Sequence, residues 1–301
     1  MFVEVGGIQQ WLEIEGNGEK PLLLLVHGGP GASTRMASGA WKPWQDHFTL
    51  VHWDQRGAGR TFLKNGPENC QPMTFDQIVD DGLEVAEFIC RHFAKERTYL
   101  LGHSWGSAVA VHMVKRCPDL FAAFVGTGML VNFRENEAIN HAKLTRLAEA
   151  QGDADGLSTL ARIGPPPYAD IQDLGAVRQL GDRLLGGSGD SPLPRPPAPP
   201  TCLTAEDREA GLKPFFFSCA ELIDDLWNVD LTPLGPRFDI PVFIFMGTHD
   251  QQTAIELAET YFTAIEAPRK AFVRFEGCHH FVHFNRPDDF LEQLIAYLLP
   301  N

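Results

Sequence analysis

The chain has 301 residues, 44% of them hydrophobic and 21% charged, which is enough apolar side chain to fill a large α/β core and too much for a disordered chain. Its formal charge of −14 leaves no general basic field of the kind that nucleic acids and anionic membranes require, so neither is expected as a partner. No basic stretch followed by an apolar run opens the sequence, and no later apolar run approaches the roughly 20 residues that span a bilayer, so a cytoplasmic protein is expected. The six cysteines are scattered, with no close pair of the kind zinc sites use, and are expected to be reduced and structural.

In chain order, "MFVEV" and "QQWLEIE" read as a hairpin, and "PLLLLVHG", "FTLVHWDQ", "RTYLLGHS" and "FAAFVGTG" read as buried strands. Residues 74–94 carry apolar side chains at helical spacing. Strands separated by helices imply a mostly parallel sheet covered on both faces. From about residue 131 to 236 the strand signal stops. There "ENEAINHAKLTRLAEAQG" and "TAEDREAGLKPFFFSCAELIDDLW" read as helices, separated by the Pro-rich "SPLPRPPAPP" at 191–200, a stiff connector. Strands resume in "IPVFIFMGTHD" and "KAFVRFEGCHH", and "DDFLEQLIAYLL" reads as a closing helix. The expected organisation is an α/β core from 1–130 and 237–301, interrupted by a helical cap at 131–236.

Ser104 stands in "GHSWG", between a buried strand and the small-residue run "SAVAV". A sharp strand-to-helix turn needs small residues on both sides, lifts the hydroxyl above the sheet edge, and puts it at a helix N-terminus that favours developing negative charge. A serine nucleophile also needs a base and a group to orient that base. Asp250 ends one later strand segment, and the histidines His279, His280 and His283 follow the next, giving the order serine, acid, histidine of a strand–elbow–helix hydrolase. The chemistry of the residues does not choose among the three imidazoles. "HHFVH" lacks a carboxylate base between its histidines and is expected to be loop, so no metal and no cofactor is expected. For the oxyanion, the backbone N–H groups of Gly29 in "HGGPG" and of Trp105 are the candidate donors, since Pro30 has none.

Together, "HGGPG", "WDQRGAGRT", "GHSWGS", "GTHD" and the His-rich loop resemble the α/β-hydrolase superfamily, within it the prolyl aminopeptidase (proline iminopeptidase) branch, over roughly residues 20–130 and 237–300. The resemblance implies an α/β-hydrolase fold and a serine hydrolase acting on a short peptide or other small molecule. In such proteins the catalytic histidine is followed seven residues on by proline and ten on by phenylalanine, which implies His280, with Pro287 and Phe290 in register. It also implies that Asp54 and Arg56 of "DQRG" form a structural pair beside the oxyanion site. Two positions depart from the family. His103 replaces the glycine before the nucleophile, and Gly164 stands where a cap glutamate would hold the substrate's amine. Glu221 is the candidate replacement for that glutamate, with Asp224 beside it, and Phe216 of "PFFFS" is the candidate acyl-pocket residue. With an apolar cap pocket, the same machinery suits carboxylic esters or lactones.

Overall fold

The computed structural model describes residues 1–186 and 205–299, so the Pro-rich 191–200 lies outside the described residues. Strands β1 (Phe2–Val5) and β2 (Ile8–Glu15) form the expected hairpin, with Phe2 opposite Trp11. Next come β3 (Leu22–Val26), a 3-10 segment (Thr34–Asp46), β4 (Thr49–Asp54), α1 (Gly59–Asn69), α2 (Phe75–His92), β5 (Thr98–His103), α3 (Trp105–Arg116) and β6 (Phe121–Thr127). Among the described residues five helices then follow: α4 (Phe133–Gln151), α5 (Ala154–Ile163), α6 (Ile171–Gly186), α7 (Ala205–Glu221) and α8 (Ile223–Trp227). The chain returns to the sheet with β7 (Val242–Gly247), α9 (Ile255–Ala264), β8 (Lys270–Phe275), α10 (Val282–Asn285) and α11 (Pro287–Leu298).

The result is an eight-stranded sheet in the order β1-β2-β4-β3-β5-β6-β7-β8. Every neighbouring pair among β3 to β8 is parallel, and β2 alone runs against them, antiparallel to both β1 and β4. Because strand side chains alternate faces, each buried strand feeds two cores. Leu22, Leu24 and Val26 of β3 join the core packed by α2, α3 and α9, while Leu23 and Leu25 join the one packed by α11 and by Trp41 and Trp44. Each fully buried side chain of this kind contributes about 1.5–3 kcal/mol.

The helices follow local signals. Thr74 caps α2 by accepting from the Gln77 N–H, and Ile78, Val79, Val85, Ala86 and Ile89 are buried along it. Pro287 opens α11, where Asp288 and Asp289 complement the dipole and Phe290, Leu294 and Leu298 repeat every four residues into the core. On α4 the buried stripe is mixed: Asn136, Glu137 and Asn140 lie with Phe133, Leu144 and Ala148. The helix read across 204–227 breaks at Leu222 into α7 and α8. The His-rich segment is loop only to Phe281, after which α10 forms one helical turn.

All six parallel strands present their carboxyl ends to one rim of the sheet. In a doubly wound sheet that rim is where ligands bind. "HGGPG" follows β3, "QRG" follows β4, Ser104 follows β5, and Asp250 and His280 lie in the loops after β7 and β8.

Candidate active site

Ser104 occupies φ 55 and ψ −126, a backbone conformation that side-chain-bearing residues rarely adopt. The turn is fixed from three sides. Ser104 N–H donates to Thr127 O (3.0 Å), and both the N–H (2.8 Å) and the hydroxyl (2.6 Å) of Ser107 donate to Ser104 O. Gly106 is required by close approach: a Cβ there would stand 2.1 Å from Val26 O at the end of β3. Among the described residues the Ser104 hydroxyl has no hydrogen-bond partner.

The Gly29 loop is braced by a buried polar chain. Gln55 N–H donates to His27 Nε2 (3.2 Å), so the His27 proton sits on Nδ1 and is given to Gly28 O (2.8 Å). The Gln55 carboxamide donates to His27 O (2.9 Å) and accepts from the Trp105 indole (3.3 Å), tying this loop to the elbow. Burial is the main cause holding the His27 pKa below its ordinary value, consistent with a neutral ring. Neither the Gly29 nor the Trp105 backbone N–H has a protein acceptor among the described residues.

Asp250 and His280 meet directly. His280 Nδ1 donates to Asp250 Oδ2 at 2.8 Å, with both side chains buried. Asp250 also accepts from the N–H groups of Gln252 (2.8 Å) and Thr253 (2.9 Å) and from the Thr253 hydroxyl (2.8 Å). Burial alone would raise its pKa. The facing imidazole and these donors outweigh that and hold the carboxyl below its usual range. Gly247 makes the meeting possible, because a Cβ there would lie 2.3 Å from Cys278 O in the histidine loop. The His280 ring lies 4.6 Å from that of His103, the neighbour of Ser104, so strand ends from β5, β7 and β8 converge.

Among the described residues neither of the other two histidines pairs with a carboxylate. His279 contacts His249 O (3.2 Å), and His283 stacks on Trp41 (5.2 Å). Among the described residues no group of three or more His, Cys, Asp or Glu side chains converges as a metal set. Burial, then the neighbouring imidazoles, pushes His103 well below its ordinary pKa, and burial with His280 pushes His283 down to about 3.

Three sets of expected residues are placed as follows. Asp54 and Arg56 do not pair with each other: Arg56 donates to Asp81 (2.8 Å) and to Gly6 O (2.7 Å), while Asp54 accepts from the Arg60 N–H (2.8 Å). Glu221 is exposed, and its carboxylate accepts from the Gln71 carboxamide (2.6 Å). Phe216 is 60% exposed and meets Phe215 rather than the elbow. The next turn of α7 points inward instead: Ser218 donates to Gly57 O (2.8 Å), and Cys219 reaches Pro30 O (3.5 Å).

Three residues near the site escape sequence reasoning. Thr253 grips Asp250, Asn136 bonds the acid loop, and Phe281, 39% exposed, packs its ring 5.1 Å from both His103 and His280. Phe281 has a signal, its place after the selected histidine, whereas Asn136 is bonded to a backbone 116 residues away and has none.

The sequence matches the serine aminopeptidase (S33) family over residues 18–152. It is 32% identical to a probable aminopeptidase, YbaC, of Bacillus subtilis (strain 168), over 97% of this chain and 93% of that one. It is 23% identical to a proline iminopeptidase of Thermoplasma volcanium, over 100% and 96% of the two chains. Among solved structures, the proline iminopeptidase-related protein TTHA1809 of Thermus thermophilus superposes with a TM-score of 0.66 at 24% identity, covering 100% of this chain and 98% of the other. Its fold is that of the α/β-hydrolases, and no described helix is long and apolar enough to cross a membrane. The chain is therefore a hydrolase and belongs to the serine aminopeptidase family of α/β-hydrolases.

Proposed function

We propose that the chain is a serine hydrolase that works through an acyl-enzyme and releases N-terminal proline or a similar residue from short peptides. Ser104 Oγ attacks the acyl carbon and gives its proton to His280 Nε2, while Asp250 holds the Nδ1–H and stabilises the imidazolium. The Gly29 and Trp105 N–H groups receive the oxyanion, each contributing about 3 kcal/mol to the transition state. His280 then protonates the leaving amine. Water attacks the acyl-enzyme, His280 takes its proton, and Ser104 is released. Helices α4–α8, within the 131–236 cap, cover the core formed by 1–130 and 237–301.

The observation that carries this reading is the buried 2.8 Å bond between Asp250 and His280, set beside a nucleophile candidate held at positive φ. A second reading, hydrolysis of carboxylic esters or lactones, is favoured by Gly164 at the end of α5, which supplies no carboxylate for a free amine, and by the engagement of Glu221 with Gln71. Hydrolysis of a prolyl anilide and of short-chain nitrophenyl esters, measured side by side, separates the two. Anilide cleavage is the expected outcome; ester turnover with no anilide cleavage would move the assignment to the second reading.

A further inference from the structure

Asn136 lies in the first turn of α4 and is 2% exposed, yet its carboxamide makes two bonds to one distant stretch of backbone. Its Nδ2 donates to Gln252 O at 2.7 Å, and its Oδ1 accepts from the Ala254 N–H at 2.7 Å. These two backbone groups flank Thr253, whose own N–H and hydroxyl both reach the Asp250 carboxylate, at 2.9 and 2.8 Å. The inner side of the 250–254 loop therefore wraps the acid, and its outer side is clasped by Asn136. Ala254 supplies no capping side chain at the start of α9, and its N–H has no other partner among the described residues.

We infer that Asn136 is a positioning residue, which keeps the 250–254 loop in the shape that presents Asp250 to His280. This inference rests on the reading of Asp250 as the acid of the relay. Residue identity matters, because the position requires a donor and an acceptor on one short planar group. Alanine offers neither, and aspartate keeps the acceptor while setting a carboxylate against Gln252 O and Glu137. Asn136 touches the acid loop and Glu137, whose buried carboxylate is paired with Arg178 of α6. It thus links the helical insertion to the acid, and its loss acts on the chemical step rather than on substrate binding.

The test compares wild type with Asn136→Ala and the near-isosteric Asn136→Asp. Lys143→Ala is the control, since it cuts a different bond between α4 and α9, from Lys143 to Glu256 (2.9 Å), away from the loop. Kinetics use whichever of the prolyl anilide or nitrophenyl ester the wild type turns over. The far-downfield proton NMR signal of His280 Nδ1–H is recorded without substrate. Expected for both Asn136 variants is a fall in kcat of about ten- to a hundred-fold with KM within about two-fold, and a broadened or lost Nδ1–H signal. Lys143→Ala should match the wild type in all three readouts. Wild-type kcat and an intact signal in either Asn136 variant would overturn the inference, as would a rise in KM at unchanged kcat. If the wild type hydrolyses neither substrate, the functional reading fails, while the substrate-free NMR comparison still decides the role of Asn136.

Discussion

At Ser104 the backbone sits in a region that costs of order 1–3 kcal/mol for a residue with a side chain, and bonds from Thr127 and Ser107 hold it there. Beside it the imidazoles of His280 and His283 each pack on that of His103, at 4.6 and 5.1 Å. His283 is buried and stays neutral down to about pH 3, whereas an unfolded histidine takes up a proton near its ordinary value of 6.5. Between those limits the unfolded chain binds more protons, so stability falls as the solution is acidified, by up to about 1.4 kcal/mol per pH unit for one proton. His283→Phe, which keeps an aromatic ring against Trp41, is expected to flatten the decline of Tm with acidification between pH 6.5 and about 3. Superimposable acid limbs in the two proteins would contradict this. At this scale Ser104 and Asp250 were legible because each ends a strand with a distinctive local pattern. The choice of His280 needed the register to Pro287 and Phe290. Asn136 was hidden because its partners are backbone atoms far along the chain.

Elements are locked together near the rim by buried polar groups rather than by apolar contact alone. Arg56, from the loop after β4, pairs with Asp81 of α2 and also bonds Gly6 in the β1–β2 turn, while Gln10 and Gln77 complete the Asp81 shell. Both partners are shielded from water, at 2% and 0% side-chain exposure, so removing one strands a charge in the interior. Asp81→Ala is expected to cost about 3–5 kcal/mol in denaturant unfolding. A loss below about 1 kcal/mol, the size of a surface pair, would show that water reaches Arg56. Strands and amphipathic helices such as α2 were readable because their periodicity is strong. Helix α1 was not, since Gly66, at φ 73, and Pro67 interrupt it. The mixed buried face of α4 likewise obscured which side meets the core, because Asn136, Glu137 and Asn140 are buried for their bonds, not their hydrophobicity.

Across the whole molecule, six parallel strands deliver a serine, a carboxylate and an imidazole to one edge, and the helices inserted between β6 and β7 reach that edge through Asn136 and Ser218. The α/β order was legible in the sequence because alternation of strand and helix is a property of long segments. The inward turn of α7 was not, since "PFFFS" carries aromatics on every side and only the packed structure shows Ser218, not Phe216, meeting the core. In the proposed mechanism Ser104 carries the acyl group during turnover. Rapid mixing with a nitrophenyl ester, followed by quenching and mass spectrometry of the intact and digested protein, reads this directly. The expected result is a burst of nitrophenol with one acyl group on the peptide containing Ser104, both absent in Ser104→Ala. Turnover without an adduct, continuing at the wild-type rate in Ser104→Ala, would contradict it.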